Sequence, residues 1–314
     1  MSQQKPLSLK RSKKNLRVKG RDAVEFLNRM LSADIKSLTQ LKKVSMTESF
    51  LCEANGRILS FFEVYFIPDE GLFLSFEVGD ELKFLENIEK YIFSEDISFA
   101  EDPSSILNES FLLSREKNSE RNFIRHLAPY PLAKDYFLEG FEDDEGILFE
   151  HSMSPSLALR YPGESSHVES APSSEDFLIE KSLEEKFPIW GVSMKAGDLP
   201  VFFPCSMSFS FDKGCFCGQE VIAKATQKGR PPFLFSEFHL EQDFNTDKEL
   251  KIMAVDGDKE FSAGKLRVAR SKKAHGLIRS SLKGTEELKI MINEEESLAI
   301  EKWSFLIQAD HFKR

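Results

Sequence analysis

Apolar residues along the first part of the chain follow two rhythms, one repeating every second residue and one every three to four, and each predicts an element. Leu16 and Val18 suggest a short strand. Gly20 then leads to a helix with Asp22 at its N-cap, in which Val24, Leu27 and Leu31, with Phe26 and Met30 beside them, form one apolar stripe. Residues 45–52 and 57–67 read as strands joined through Asn55-Gly56, a pair suited to a tight hairpin. Residues 72–76 read as a further strand, 80–93 as a helix with Leu82, Leu85, Ile88 and Ile92 inward, and 97–100 as a last strand. Strand, helix, strands, helix, strand is the split βαβ plan of a ferredoxin-like unit.

The next stretch carries less rhythm. Residues 109–114 and 146–150 look like strands, 122–127 like a short helix, and 142–145, 152–156 and 162–174 like loops. Ser174-Glu175-Asp176 opens a helix with Phe177, Ile179, Leu183 and Phe187 on or near one face, closed by Pro188-Ile189-Trp190-Gly191. Gly229-Arg230-Pro231-Pro232 marks a boundary. Beyond it, 233–240, 249–255, 265–269, 276–282, 288–292 and 298–306 are short β-prone runs with turn residues between them, which predicts a small antiparallel barrel over 231–314. The chain is expected to be α+β.

Composition narrows the class. The 314 residues exceed the usual size of one core, so two or three domains are expected, and 41% hydrophobic with 30% charged residues describes a soluble globular protein. Phenylalanine, at 29 copies beside 5 tyrosines and 2 tryptophans, reads as core filling. No run approaches the roughly 18 apolar residues that cross a bilayer, and no apolar signal region follows the basic N-terminus. Three of the four cysteines fall between Cys205 and Cys217, which is no secreted disulfide framework, so a cytoplasmic protein with no membrane partner is expected. Net charge −10 argues against a surface that coats nucleic acid. Yet residues 5–21 hold eight Lys and Arg without an acid, and 265–283 hold seven. Such runs are solvated faces or anion receptors, tRNA phosphate included, and the sequence leaves both open. No Gly-rich nucleotide fingerprint occurs, and Cys-x-Cys with one distant partner is a poor zinc pattern, so no metal site is expected.

Lys213-Gly214-Cys215-Phe216-Cys217-Gly218-Gln219-Glu220 carries most of the chemistry. Gly214 and Gly218 allow a tight turn, and the residues from Gln219 are helix formers with Glu220 in the first turn. Cys215 is thus expected on an exposed turn just ahead of a helix N-terminus, two residues from the Lys213 ammonium, and both features favour a thiolate. A free cysteine is as readily a small core hydrophobe, and the residues alone leave the two roles open. Cys52, within a strand run, is expected in the core.

With the apolar pair and Lys224 that follow it, the octet resembles the signature of the YgfZ family of folate-binding proteins. These are relatives of the glycine-cleavage T-protein (aminomethyltransferase) that support iron–sulfur enzymes, tRNA-modifying ones included. Val18-Lys19-Gly20-Arg21-Asp22-Ala23, Phe26-Leu27, Ala33-Asp34 and Asn55-Gly56-Arg57-Ile58-Leu59 are similar to the family's opening helix and hairpin. Residues 182–191 resemble its Arg-x-Glu-Ala-Gly-x-Pro-x-x-Gly segment, registered on Pro188 and Gly191.

The resemblance implies a folate-binding module over 1–230, made of two ferredoxin-like halves at about 15–100 and 105–230, ahead of the barrel. It implies tetrahydrofolate or a derivative as cofactor, with Glu184 facing the pterin from a cavity between the halves. Asp34, Lys213 and Lys224 would belong to the same site, with Cys215 as a reactive thiol at its mouth. Partners would be a reduced folate and iron–sulfur client or assembly proteins. Ser60-Phe61 depart from the pattern, because aminomethyltransferases carry an Asp-Asp pair there; general-base catalysis lacks its residue, and aminomethyltransferase activity is not expected. Ser182, Lys186 and Phe202 likewise stand where the family has an arginine, a glycine and the acid of Leu-Pro-x-Glu. The expected function is a folate-binding YgfZ-type protein in maturation or repair of iron–sulfur enzymes. A folate-dependent one-carbon transferase and an interaction module with a decayed folate site are the alternatives.

Overall fold

The computed structural model describes residues 7–10, 13–102, 110–113, 138–139, 141–143, 146–150, 157–161, 169–170, 175–204, 208–228, 231–257, 259–282 and 287–306. The chain packs as two compact units, Met1–Ser174 with Met207–Gln219, and Glu175–Ser206 with Glu220–Arg314.

The first unit opens with strands β1 (Leu7–Lys10) and β2 (Lys13–Lys19), then helices α1 (Ala23–Met30) and α2 (Ile35–Gln40). Strands β3 (Ser45–Cys52), β4 (Ile58–Ile67) and β5 (Gly71–Glu77) follow, then α3 (Asp80–Ile88) and β6 (Ser98–Glu101). Six further strands are β7 (Ser110–Leu113), β8 (Leu138–Glu139), β9 (Phe141–Asp143), β10 (Gly146–Glu150), β11 (Leu157–Tyr161) and β12 (Glu169–Ser170). One sheet runs β6-β2-β5-β4-β3-β8, every neighbour antiparallel. Phe26, Leu27 and Leu31 of the α1 region, Phe62 and Phe76 of the sheet, and Phe84 of α3 form the core between helices and sheet.

The elements read from periodicity here are present, the Asn55-Gly56 hairpin among them: Glu53 N–H donates to Arg57 O at 2.9 Å and Gly56 N–H to Glu53 O at 2.8 Å. Helix α3 ends at Ile88, short of the expected 93, and Leu82, expected inward, is exposed. Asp22 does not cap α1 with its side chain; its carboxylate accepts from Asp96 N–H at 2.8 Å. The helix α2 was not expected. Asp34 starts it, accepting from Ser37 N–H at 3.0 Å and Ser37 Oγ at 2.7 Å, the usual way a free helix donor is met.

The second sheet, β12-β1-β7-β11-β10-β9, takes β1 from what the sequence presents as a basic arm. The alternation Leu7-Ser8-Leu9-Lys10 was the strand signal there, masked by the charges around it. Strand β9 enters a stretch expected to be loop, and β11 falls where no strand was read. The helix expected at 122–127 lies outside the described residues.

The second unit holds helix α4 (Glu175–Glu185) and a closed barrel of β13 (Phe233–Leu240), β14 (Leu250–Asp256), β15 (Lys259–Arg270), β16 (Lys273–Arg279), β17 (Glu287–Met291) and β18 (Ser297–Phe305). A fifth helix, α5 (Gln219–Ala223), runs on from the motif. Phe238, Leu240, Ile252, Ile278 and Ile290 fill the barrel. Strands β15 and β16 approach closely because Gly264 and Gly276 face each other's backbone: a Cβ on either would lie 2.2 Å from a carbonyl oxygen of the facing strand. The buried stripe of α4 is Leu178, Ile179, Ser182 and Leu183, so Phe177 is half-buried beside it and not on it. No described helix is long and apolar enough to cross a membrane.

Both basic runs meet acids within their own unit. Lys13 pairs with Glu63 (2.8 Å) and Glu77 (3.3 Å), and Arg17 with Glu70 (3.0 Å) and Asp102 (3.1 Å). Arg267, almost fully buried, pairs with Asp198 (2.6 Å) and Glu249 (2.7 Å), and Arg270 with Asp176 (2.6 Å) and Asp247 (2.8 Å).

Candidate functional site

The motif turn is seated from two directions. At its start, Lys213 Nζ donates to the carbonyl oxygens of Asn28 (2.6 Å), Ala33 (2.6 Å) and Leu31, closing the C-terminal end of α1. Its three N–H bonds are therefore engaged by backbone, and the ammonium also lies 5.2 Å from the Phe216 ring centroid. Burial pulls the Lys213 pKa down to about 7, with the Asp34 carboxylate opposing. At the other end, Gly218 has φ +82°, and a Cβ there would fall 2.5 Å from Glu53 O, 2.9 Å from Gly56 Cα and 3.2 Å from Cys52 Cβ. The turn thus rests on the β3–β4 hairpin at a distance only glycine permits. Gln219 Oε1 accepts from Phe216 N–H at 3.0 Å and fixes the entry to α5, a helix of only five residues.

Between these anchors, Cys215 is exposed. Phe216 is buried, and Cys217 is half-buried with its thiol pKa raised by burial and by the Glu53 carboxylate. Cys52 lies beneath, its pKa driven upward first by burial and then by Cys217 and Glu53. Cys205 is outside the described residues.

A row of phenylalanines joins this turn to Ser60-Phe61 on β4. Phe61 meets Phe50 at 4.9 Å between ring centroids, Phe50 stacks on Phe209 at 5.3 Å, Phe209 on Phe211 at 6.3 Å, and Phe211 reaches Phe216 at 6.4 Å. Ser60 is buried beside Phe61, and its hydroxyl has no partner among the described residues. The segment before the motif is tied in by groups that sequence reasoning did not single out. Ser32 Oγ donates to Ser208 O at 2.6 Å and accepts from Phe50 N–H at 2.8 Å, and Ser208 Oγ donates to the buried Glu48 at 3.3 Å.

The structure thus brings Asp34, Lys213, Gly214, Cys215, Gly218 and Gln219 together in the first unit, with Asp34 and Lys213 in structural contacts. Glu220 and Lys224 pair with each other in solvent at 2.6 Å. Glu184 belongs to the second unit, where its exposed carboxylate pairs with Lys181 one turn back. Ser182 is buried and donates to Ile179 O at 2.8 Å. Lys186 has φ +66°, the left-handed conformation that favours glycine. Phe202 is buried edge-on against Phe233 at 5.8 Å. Among the described residues no cluster of His, Cys, Asp and Glu forms a metal site.

The structure is similar to the crystal structure of glycine cleavage system aminomethyltransferase T from Bartonella henselae, with a TM-score of 0.68 over 95% of this chain and 85% of that one, at 16% identity. No protein-family model matches the chain, and no curated protein does. At that identity the likeness establishes the fold: this is an aminomethyltransferase-type α+β fold carrying a C-terminal antiparallel barrel.

Proposed function

We propose that this chain is a YgfZ-type protein supporting maturation or repair of iron–sulfur enzymes, with the Cys215 thiol as its working group, and that it is no methylene transferase. The observation that carries the reading is the seat of that thiol. It is exposed on a turn whose two ends are held by the Lys213 carbonyl contacts and by Gly218 on the hairpin. A thiol held this way engages a partner group with little further ordering cost. The class of partner comes from the motif's resemblance and the fold.

The resemblance also implies a reduced folate, and here the residues do not fit the family's pterin grip. Glu184 is exposed and paired with Lys181, and Phe202 is a core aromatic. That favours the second reading, an interaction module whose folate site has decayed. Titration with tetrahydrofolate separates the two: saturable binding weakened by Glu184→Gln restores the folate-holding form, and no binding supports the decayed one. For the thiol, Cys215→Ala and Cys217→Ala are expressed in cells lacking the native copy and an iron–sulfur enzyme is assayed. Loss with Cys215→Ala alone is expected; full complementation by it overturns the assignment.

A further inference from the structure

We propose that Cys215 and Cys217 are a redox pair: a peroxide oxidises the exposed Cys215, and Cys217 closes on it as a disulfide within the turn. Formation of the bond does not depend on the function proposed above; its consequence, a working thiol withdrawn by oxidation and returned by reduction, rests on that reading. Phe216 between them is buried, its ring 6.4 Å from that of Phe211 and 5.2 Å from the Lys213 ammonium, while Cys215 is exposed and Cys217 half-buried. In a non-helical segment, residues on either side of an inward-facing one point the same way. The chain is neither helix nor turn over 214–216 and turns only afterwards, where Gln219 N–H donates to Phe216 O at 3.2 Å around Gly218.

Two residues apart, the Cα atoms stand at most about 7 Å from each other. Disulfides span about 4.4–6.8 Å between Cα atoms, so closure asks the segment to tighten slightly. Gly214 supplies the slack, because its φ is +100° and a Cβ there would meet nothing within 4 Å. Cys52 beneath is the rival partner, but it is buried and burial keeps its thiol protonated, away from a group oxidised in solvent. The Cys215 thiolate attacks a peroxide oxygen; an S–O bond forms, the O–O bond breaks, and hydroxide leaves to take up the thiol's proton. The Cys217 sulfur then attacks that of Cys215; an S–S bond forms, the S–O bond breaks, and the second hydroxide leaves with the Cys217 proton as water. Two thiols and one peroxide thus give one disulfide and two waters. Burial and the Glu53 carboxylate raise the Cys217 pKa, which leaves it to act second. A ring this small is strained and therefore readily opened by thiol reductants.

The test treats the reduced full chain with equimolar hydrogen peroxide and maps the products by mass after trypsin. Cleavage at Lys213 and Lys224 leaves both cysteines in the peptide 214–224, whereas Cys52 falls in 44–57 and Cys205 in 196–213. The peptide 214–224 is expected lighter by two hydrogens, blind to maleimide, and restored by glutathione. In Cys217→Ser the disulfide is expected to be lost, with Cys215 trapped as sulfenic acid by dimedone and driven to sulfinic acid by excess peroxide. A link to 44–57 or 196–213, a disulfide between two chains, or sulfinic Cys215 beside an untouched Cys217 in the unaltered protein overturns the proposal. In cells, Cys217→Ala is expected to support the iron–sulfur enzyme until a peroxide pulse and then to fail to recover, unlike the native chain; equal recovery overturns the switch. If the disulfide forms but Cys215→Ala complements fully, only the working-thiol reading falls; if Cys215→Ala fails to complement and no disulfide forms, only the redox pair falls.

Discussion

Gly218 and Gly214 flank the same cysteine pair but carry different constraints. Both have positive φ, +82° and +100°, yet a Cβ at Gly214 meets nothing within 4 Å, whereas at Gly218 it meets the hairpin backbone. Gly214→Ala should therefore cost about 1–2 kcal/mol of backbone strain, and Gly218→Ala about 2–4 kcal/mol because the clash adds to it. Urea unfolding of both variants checks this, and equal costs would mean the turn does not rest on the hairpin. The cysteines should react in the order of their exposure, Cys215 first, Cys217 next and Cys52 last, as read by mass mapping after brief treatment with a slow maleimide. Lys213 adds a pH signature. Its folded pKa of about 7 lies below the unfolded value of about 10.4, so between them the unfolded chain holds more protons and stability rises with pH. The unfolding free energy of the protein, taken relative to Lys213→Met, should grow from pH 7 to pH 9 by no more than about 1.4 kcal/mol per unit; a flat or falling difference would place the lysine outside its carbonyl cage. The sequence showed Lys213 beside Cys215 but not the three carbonyls, which come from residues 180 to 185 positions away.

At the scale of elements, legibility followed locality. Helices α1 and α3, strands β2 to β6 and the six barrel strands were readable because their apolar runs are bounded by turn residues, although β3, β4 and β5 are buried at consecutive positions and not on one face alone, and the Asn55-Gly56 turn is a two-residue signal. Helix α2 was missed although its Asp34-x-x-Ser37 cap lay in plain view, because six residues are too few for a periodic stripe. The left-handed conformation of Lys186 was not read from the sequence, since no glycine marks it. Lys186→Gly should relieve about 1 kcal/mol of strain while losing the pair of the exposed Lys186 with the half-buried Glu237, worth about half of that, a small net gain in thermal stability. The phenylalanine row bears on activity as well. Phe61 packs on Phe50 and Ser60 is buried, and neither side chain is a carboxylate or a base near neutral pH. We expect no methylene transfer from an aminomethyl-lipoyl donor to tetrahydrofolate, a missing base being worth on the order of 10²–10⁴-fold; turnover at rates like those of true aminomethyltransferases would overturn this.

For the whole molecule, the question is what the two basic runs do. In sequence they stand out because no acid interrupts them, and a nucleic-acid contact is the natural suspicion. In the fold their partners arrive from a distance: Glu63 reaches Lys13 from 50 residues on, and Asp176 reaches Arg270 from 94 residues back. Such pairing is invisible to any local count of charge. Each cation so engaged is partly neutralised, and moving it to a phosphate would leave an acid behind, so little of the counterion-release gain remains. On a chain of net charge −10 the long-range field opposes a polyanion too. Binding to unmodified tRNA is therefore expected to be weak at physiological salt, with a Kd no tighter than about 10⁻⁵ M, and its log–log salt slope should be small, equivalent to about two or three phosphate contacts where the two runs together hold fifteen cations. Filter binding or anisotropy between 50 and 200 mM salt measures both quantities. A slope of eight or more, reduced by Arg270→Ala, would mean that these pairs open to receive RNA and that the runs form an interface after all.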